Sequence, residues 1–88
     1  MSDNKNKKKR ITVEIYNRTY NIVGDEPESH VRLVASLVDQ KMEEIHNANR
    51  HLDTANLAVL TAINTMSDYL KLKEEYATLV GSMKRKED

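Results

Sequence analysis

Three histidines are the residues of this sequence whose chemistry best suits metal binding or proton transfer. No two of His30, His46 and His51 are at positions i and i+4, the spacing that would place two ligands on one helical face. The chain contains no cysteine that could complete a metal site. We therefore predict that all three are surface or loop residues and that the protein binds no metal and no cofactor.

The other side chains with catalytic potential lack the arrangement that an enzyme needs. The serines lie in no nucleophile-elbow sequence, and Gly24 and Gly81 are too far apart to form a phosphate-binding loop. Glu43 and Glu44 are consecutive, so on a helix their side chains point about 100° apart, as solvated residues rather than an acid–base pair. The sequence therefore predicts a protein that is not an enzyme and has no small-molecule substrate.

The start of the chain is strongly basic. Lys5, Lys7, Lys8, Lys9 and Arg10 fill five of six consecutive positions, whereas residues 11–88 hold nine basic and thirteen acidic residues. Such a cluster attracts nucleic acid or an anionic surface. No nucleic-acid-binding motif accompanies it and the chain has neither Trp nor Phe, so we favour a solubilising or steering role over specific nucleic-acid binding.

The size and composition of the chain limit how it can be stabilised. Its 88 residues, 39% apolar and 32% charged, suffice for one small domain. Without cysteine there is no disulfide framework, so oligomerisation is the expected source of stability. No apolar stretch follows the basic residues, and the sequence predicts neither a signal peptide nor membrane insertion. We expect a soluble, cytoplasmic protein.

Two short strands are predicted directly after the basic residues. Residues 11–16 and 19–23 are rich in β-branched side chains and alternate in polarity with period two. The two residues between them, Asn17 and Arg18, have the length of a hairpin turn, which requires either a positive φ at Arg18 or a wider turn. Residues 1–10 lack periodicity and are predicted to be a disordered basic tail.

A first helix is predicted after the hairpin. Asp25, Glu26 and Pro27 form a helix start signal. Apolar residues then recur at helical spacing and predict one core stripe: Val31, Val34, Val38, Met42 and Ile45. Leu33 and Leu37 lie beside this stripe and widen the apolar surface, which implies contact with a second surface such as another subunit.

A second, longer helix is predicted after a short break. Asp53 is the expected N-cap, with Leu52 and Leu57 as a hydrophobic staple. No Gly or Pro occurs from Thr54 until Gly81, which allows a helix of about 40 Å, longer than a compact monomer of this size. The first half is apolar nearly all round and is predicted to be buried: Leu57, Ala58, Val59, Leu60, Ala62, Ile63 and Met66.

The second half of this helix carries a narrow apolar stripe, which we call the seam: Tyr69, Leu72, Tyr76, Leu79 and Met83. Its steps of three and four residues, with charged residues around them, are typical of a coiled coil. Each large apolar side chain gains about 1.5–3 kcal/mol when buried, so a projecting helix with this stripe is expected to self-associate.

Four stretches of the sequence together resemble one protein family. They are the hairpin ITVEIYNRTYNIVG, then VDQKMEEI at residues 38–45, LAVLTAIN at residues 57–64 and DYLKLKEEY at residues 68–76. In this order and spacing they resemble the cell division protein ZapA family, in the short form found in Gram-positive rods. The resemblance covers roughly residues 11–80.

The resemblance implies an α+β fold. An N-terminal two-stranded β-hairpin and a short helix form a head at residues 11–52, and one long helix at residues 53–88, with a frayed C-terminal end, dimerises as a coiled coil. It implies a homodimer, with an antiparallel homotetramer as the alternative. The expected self-association residues are Leu60, Ile63, Tyr69, Leu72, Tyr76, Leu79 and Met83.

The resemblance also implies a partner, the tubulin-like GTPase FtsZ, whose filaments the family binds and bundles at the mid-cell division ring. Arg18 and Arg50 match positions where relatives often carry a basic residue of the FtsZ-contacting head. Arg32, Lys41 and Glu44 are further candidates, because helix geometry predicts that they are exposed. A homodimeric coiled-coil adaptor for another protein partner is the alternative function.

Overall fold

The computed structural model describes the backbone of residues 8–87 and the side chains of residues 8–83. Two strands, β1 (Lys9–Ile15) and β2 (Arg18–Gly24), precede two helices, α1 (Glu28–Ala48) and α2 (Thr54–Glu87). The predicted α+β fold, a hairpin followed by a shorter and a longer helix, is confirmed. Residues 1–7 of the predicted basic tail lie outside the described residues, while Lys9 and Arg10 belong to β1.

The hairpin turn consists of Tyr16 and Asn17. The antiparallel register pairs Ile15 with Arg18, so only these two residues separate the strands. Their φ angles are 51° and 65°, as a type I′ turn requires. The prediction of a turn at Asn17 and Arg18 was wrong by one residue, because asparagine at the second turn position tolerates a positive φ and Arg18 starts β2.

The core of the head lies between β1 and α1. Ile11, Val13 and Ala35 are buried in one cluster, and Ile15 and Val31 pack against it. Alternate residues of a strand share one face, so β1 directs its three apolar side chains toward the helix. The small Ala35 side chain allows a close approach between helix and strand.

The predicted core stripe of α1 is only partly buried. Met42 is buried, whereas Val34 is 44% exposed. The prediction that Val34 is a core residue was therefore wrong for the single chain. The reason is geometric, because α1 packs over β1 and leaves the β2 side of the sheet open.

The start of α2 follows the predicted capping pattern. The backbone N–H of Asn56 donates a hydrogen bond of 2.8 Å to Oδ1 of Asp53, and Leu57 is 1% exposed. The helix continues through Gly81 to Glu87, a length of 34 residues or about 51 Å. The radius of gyration is 18.0 Å, against about 12 Å for a compact domain of this length. The molecule is therefore extended, and α2 projects from the head.

Candidate self-association and partner-binding surfaces

The uncharged first half of α2 is exposed in the single chain. Residues 54–67 contain no charged side chain, yet only Leu57 and Thr61 among them are buried. The prediction that this half is buried was wrong for the chain alone, because α1 covers one side of the helix only. Val59, Ile63 and Met66 are each more than half exposed.

The seam is exposed as well. All five of its side chains are exposed, from 52% at Tyr69 to 67% at Tyr76. Among the side chains that the structure describes, sixteen large apolar residues are exposed, whereas five apolar residues are buried. A chain with so small a core and so much exposed apolar surface resembles one part of an assembly more than a complete domain.

Helix geometry divides the apolar residues of α2 between two faces. At 100° per residue, the seam points about 60° away from the side that Leu57 and Thr61 present to the head. A second set points almost directly away from the head, and we call it the reverse stripe: Val59, Ile63, Met66 and Leu70. The predicted self-association residue Ile63 belongs to the reverse stripe, and Leu60 lies on neither face. The seven predicted residues therefore do not form one continuous surface.

An ion pair joins α2 to α1, and a hydrogen bond within α2 satisfies the buried Thr61 hydroxyl. The Thr61 hydroxyl is buried and donates a hydrogen bond of 2.8 Å to the Leu57 carbonyl oxygen. Nζ of Lys41 on α1 lies 3.3 Å from Oδ2 of Asp68 on α2. Because both partners of this ion pair are partly solvent-exposed, it orients the helices more than it stabilises them.

Arg18 and Arg50, the two basic residues that the family resemblance indicates, occur at the same end of the head. Arg18 is exposed and directly follows the hairpin turn. The turn lies against the C-terminal half of α1, since the Tyr16 ring meets the His46 ring edge-on with centroids 5.8 Å apart. Arg50 is exposed in the connection just after this helix. Both side chains are therefore accessible to solvent near the C-terminal end of α1.

The other predicted contact residues are dispersed around α1. Nε of Arg32 contacts Oε2 of Glu28 at 2.8 Å, and Nη1 of Arg32 donates to the Thr12 carbonyl oxygen at 3.1 Å. Lys41 faces the opposite side of the helix and pairs with α2. Glu44 is exposed. Arg32 and Lys41 are therefore engaged in contacts within the chain.

A contact that the sequence does not predict holds the hairpin turn. The backbone N–H of Tyr16 donates a hydrogen bond of 2.6 Å to Oδ1 of Asp39 on α1. This bond anchors a residue whose positive φ is unusual for a bulky side chain. The one available signal was Asn17, a residue type that favours positive φ and marks the turn, but nothing in the sequence pointed to Asp39.

Within residues 8–83, no group of three or more His, Asp or Glu side chains is arranged to hold a metal ion. His30 and His51 are exposed, while His46 is half-buried against Tyr16. None of the described helices combines the length and apolar character needed to cross a bilayer.

Comparison with known proteins gives the family. The family model described as "Cell division protein ZapA" matches residues 11–87. The chain belongs to the ZapA family. A ZapA protein of Oceanobacillus iheyensis is 73% identical over 81 residues, which span 92% of this chain and 94% of that protein. The ZapA protein of Bacillus thuringiensis is 56% identical over 86 residues, which span 98% and 97% of the two chains.

A solved ZapA structure has the same fold. It is described as a ZapA mutant dimer from Geobacillus stearothermophilus, and it matches with a TM-score of 0.69 and 51% sequence identity. The match covers 88% of this chain and 90% of that one. Self-association of a close ZapA relative agrees with the exposed seam and reverse stripe described above.

Proposed function

We propose that this protein is a non-enzymatic crosslinker that binds FtsZ filaments directly and bundles them at the mid-cell division site. It acts in the cytoplasm as a homodimer, without nucleotide, metal or other cofactor. The observation that carries the proposal is the exposed apolar surface of α2 in a member of the ZapA family. This surface requires a second copy, and a second copy provides a second head.

A two-fold dimer is sufficient for crosslinking. Such a dimer presents the same surface twice, in two directions, so its heads are able to hold subunits of two neighbouring filaments. Once one head is bound, the second contact is effectively intramolecular and gains from a high local concentration along the polymer. Weak individual contacts therefore add up to stable bundling.

The head end with Arg18 and Arg50 is the proposed FtsZ contact. Both residues are exposed and carry the same charge, Arg18 as the first residue of β2 and Arg50 in the turn that follows α1. Charges at the rim of an interface mainly raise the association rate and select the partner, and this suits a contact that must form and break as filaments remodel.

Filament bundling provides the direct test. Purified protein is mixed with polymerising FtsZ, and bundles are measured by light scattering and by the fraction that sediments. The proposal expects both signals to rise with protein concentration and to saturate. No change over a wide concentration range, together with recovery from lysate of a different protein and never of FtsZ, would favour the adaptor function instead.

A further inference from the structure

We propose that the outer edge of β2 pairs with the same edge of a second copy, so that the hairpins of two homodimers form one four-stranded antiparallel sheet. The pairing adds a contact between dimers and uses neither the seam nor the reverse stripe. Its test by cross-linking is independent of the proposed function, whereas its test by bundling rests on that function.

The outer edge of β2 presents unpaired backbone groups. In an antiparallel pair, residues whose N–H and C=O bond across the ladder alternate with residues whose groups point outward. The Thr12 carbonyl oxygen accepts from Arg32, so Thr12 and its partner Asn21 belong to the outward set. On β2 this set also contains Thr19 and Val23. In the part of the chain that the structure describes, no side chain and no other segment bonds to the outward backbone groups of these three β2 residues.

The two edges of the hairpin differ. On the β1 edge, Nη1 of Arg32 donates to the Thr12 carbonyl oxygen at 3.1 Å, and a contact of 2.8 Å with Glu28 holds the Arg32 side chain. On the β2 edge, residues 18–23 are all exposed. Proteins usually protect an exposed edge strand with a charge, a proline or a bulge. Residues 19–24 contain neither charge nor proline, and their register has no bulge, so this edge is open to strand addition.

The occupant is a second copy, because β2 is complementary to itself. Antiparallel pairing centred on Asn21 joins outward backbone groups to outward backbone groups, as strand addition requires. It places Tyr20 opposite Ile22 of the second copy, an aromatic residue opposite a β-branched one. Both are exposed in the single chain, at 43% and 37%. The same register places Arg18 beside Asp25 of the second copy, so opposite charges meet at each end of the pairing.

This pairing joins different dimers. It requires a two-fold axis beside the middle of β2, whereas the two-fold axis of the seam runs beside α2. The hairpin packs on Ala35 of α1, and α2 pairs with Lys41 of the same helix. The two axes are therefore separated by about one helix diameter, roughly 10 Å. A homodimer carries two β2 edges, and each is able to bind a further dimer.

The contact is expected to be weak, because each copy contributes one short strand. Free dimers in dilute solution therefore remain dimers. On a filament that holds many dimers, the effective concentration of heads is high, and pairing at β2 then strengthens the lateral contacts within a bundle.

Disulfide trapping tests the pairing in the full-length protein, which has no natural cysteine. Asn21→Cys places one thiol at the centre of the pairing, where two Cα atoms about 5.5 Å apart permit a disulfide. Thr12→Cys is the matched control. Thr12 is exposed and pairs with Asn21, and either substitution removes the same hydrogen bond between their side chains. Arg32, however, occupies the edge beside Thr12.

Under mild oxidation, Asn21→Cys is expected to give a covalent pair of chains whose yield rises with protein concentration, since the contact joins separate dimers. Thr12→Cys should give a severalfold lower yield, and circular dichroism checks that both variants fold. Equal yields from the two variants would overturn the proposal. A high yield from Asn21→Cys that does not change with concentration would place the pairing within one dimer, which also overturns it.

Charge changes at the centre of the pairing provide a second test, which uses FtsZ. Asn21→Lys and Asn21→Asp each bring like charges opposite each other, so each is expected to lower bundling severalfold. An equimolar mixture of the two variants should restore bundling, because opposite charges then face each other. A direct effect of charge on FtsZ binding would instead move the two variants in opposite directions. That result, or a mixture without recovery, would contradict the pairing.

The two tests separate the pairing from the proposed function. Trapping at Asn21 without any bundling of FtsZ would leave the pairing standing and remove the function. Bundling by a protein that shows no trapping at Asn21 would remove the pairing and leave the function standing.

Discussion

At the scale of single residues, the hairpin turn depends on one side chain from another element. The Asp39 carboxylate accepts the N–H of Tyr16, which has a φ of 51°. The ring of His46, two turns further along α1 than Asp39, contacts the Tyr16 ring. These contacts attach the turn, and with it Arg18, to α1. The position of the proposed FtsZ contact is therefore set by α1 as much as by the hairpin.

Replacing Asp39 should loosen this attachment. Asp39→Ala leaves the partly buried Tyr16 N–H without its acceptor and is expected to lower the free energy of unfolding by about 1–3 kcal/mol. The measurement is urea denaturation at one fixed protein concentration, because dimerisation couples to stability. Glu43→Ala, an exposed change on the same helix, is the control and should have little effect. Equal stabilities of the two variants would show that the hydrogen bond does not anchor the turn.

Reversing the charge of Arg50 should separate partner binding from assembly. Arg50→Glu is expected to weaken FtsZ bundling severalfold without changing the mass of the oligomer, because Arg50 is exposed and lies outside α2, the helix that carries both apolar faces. Lys71→Glu makes the same charge change on α2 and controls for net charge. A bundling curve identical to that of the unmodified protein would remove Arg50 from the contact.

At the scale of elements, α1 and α2 begin in different ways. The residue preceding α1 is Pro27, with no side-chain hydrogen bond to the first turn, whereas Asp53 caps α2 directly. A long helix that projects into solvent has few tertiary contacts to keep its first turn ordered. The cap and the buried Leu57 therefore determine where α2 starts.

Removal of the Asp53 cap should lower the stability of the protein measurably. Asp53→Ala is expected to lower the free energy of unfolding by about 1 kcal/mol, since the Asn56 N–H loses its acceptor. Asp25→Ala removes an acidic residue of the same type near the start of α1, where no side-chain cap exists, and should have a much smaller effect. Chemical denaturation at matched concentrations compares them, and equal losses would contradict a specific role of the cap.

The seam makes a separate prediction for α2. Leu72→Glu or Leu79→Glu should weaken dimerisation strongly, because each places a charge in the apolar contact that the seam is expected to form in the dimer. The fold of the head should stay intact. Thr78→Glu adds the same charge on a side of the helix away from the seam and is the matched control. Sedimentation gives the mass and circular dichroism the helix content. Unchanged masses for both leucine variants would contradict the seam.

Local patterns predicted the elements well and their packing less well. The alternation in residues 11–23, the cap at Asp53 and the absence of helix breakers before Gly81 are all encoded in neighbouring residues, and the structure confirms the elements that they predict. The exposure of Val34 and Ile63 could not be predicted in the same way. Periodicity shows that a face is apolar, but it does not show whether the cover comes from the same chain or from another.

The candidate partner surface shows the same limit. The resemblance pointed to Arg18 and Arg50, and the structure brings them to one end of the head. Helical exposure alone also suggested Arg32 and Lys41, but both side chains are engaged within the chain. Their partners, a strand carbonyl and a carboxylate on α2, are far away in sequence, so only the three-dimensional arrangement reveals these contacts.

At the scale of the whole molecule, the chain is a thin and extended body. Its principal dimensions are 53 × 51 × 16 Å, which leaves little interior in which apolar side chains can be buried. Surface-to-volume scaling makes such a shape marginal as a monomer. A second copy would cover the seam and the reverse stripe. Folding and assembly are therefore expected to be coupled.

Sedimentation equilibrium over a wide range of concentrations tests the central claim most directly. The account predicts a mass of twice the 10.2 kDa of one chain, with dissociation at high dilution accompanied by loss of helix content. A mass of one chain at every concentration, with the helical content of α2 fully retained, would contradict it.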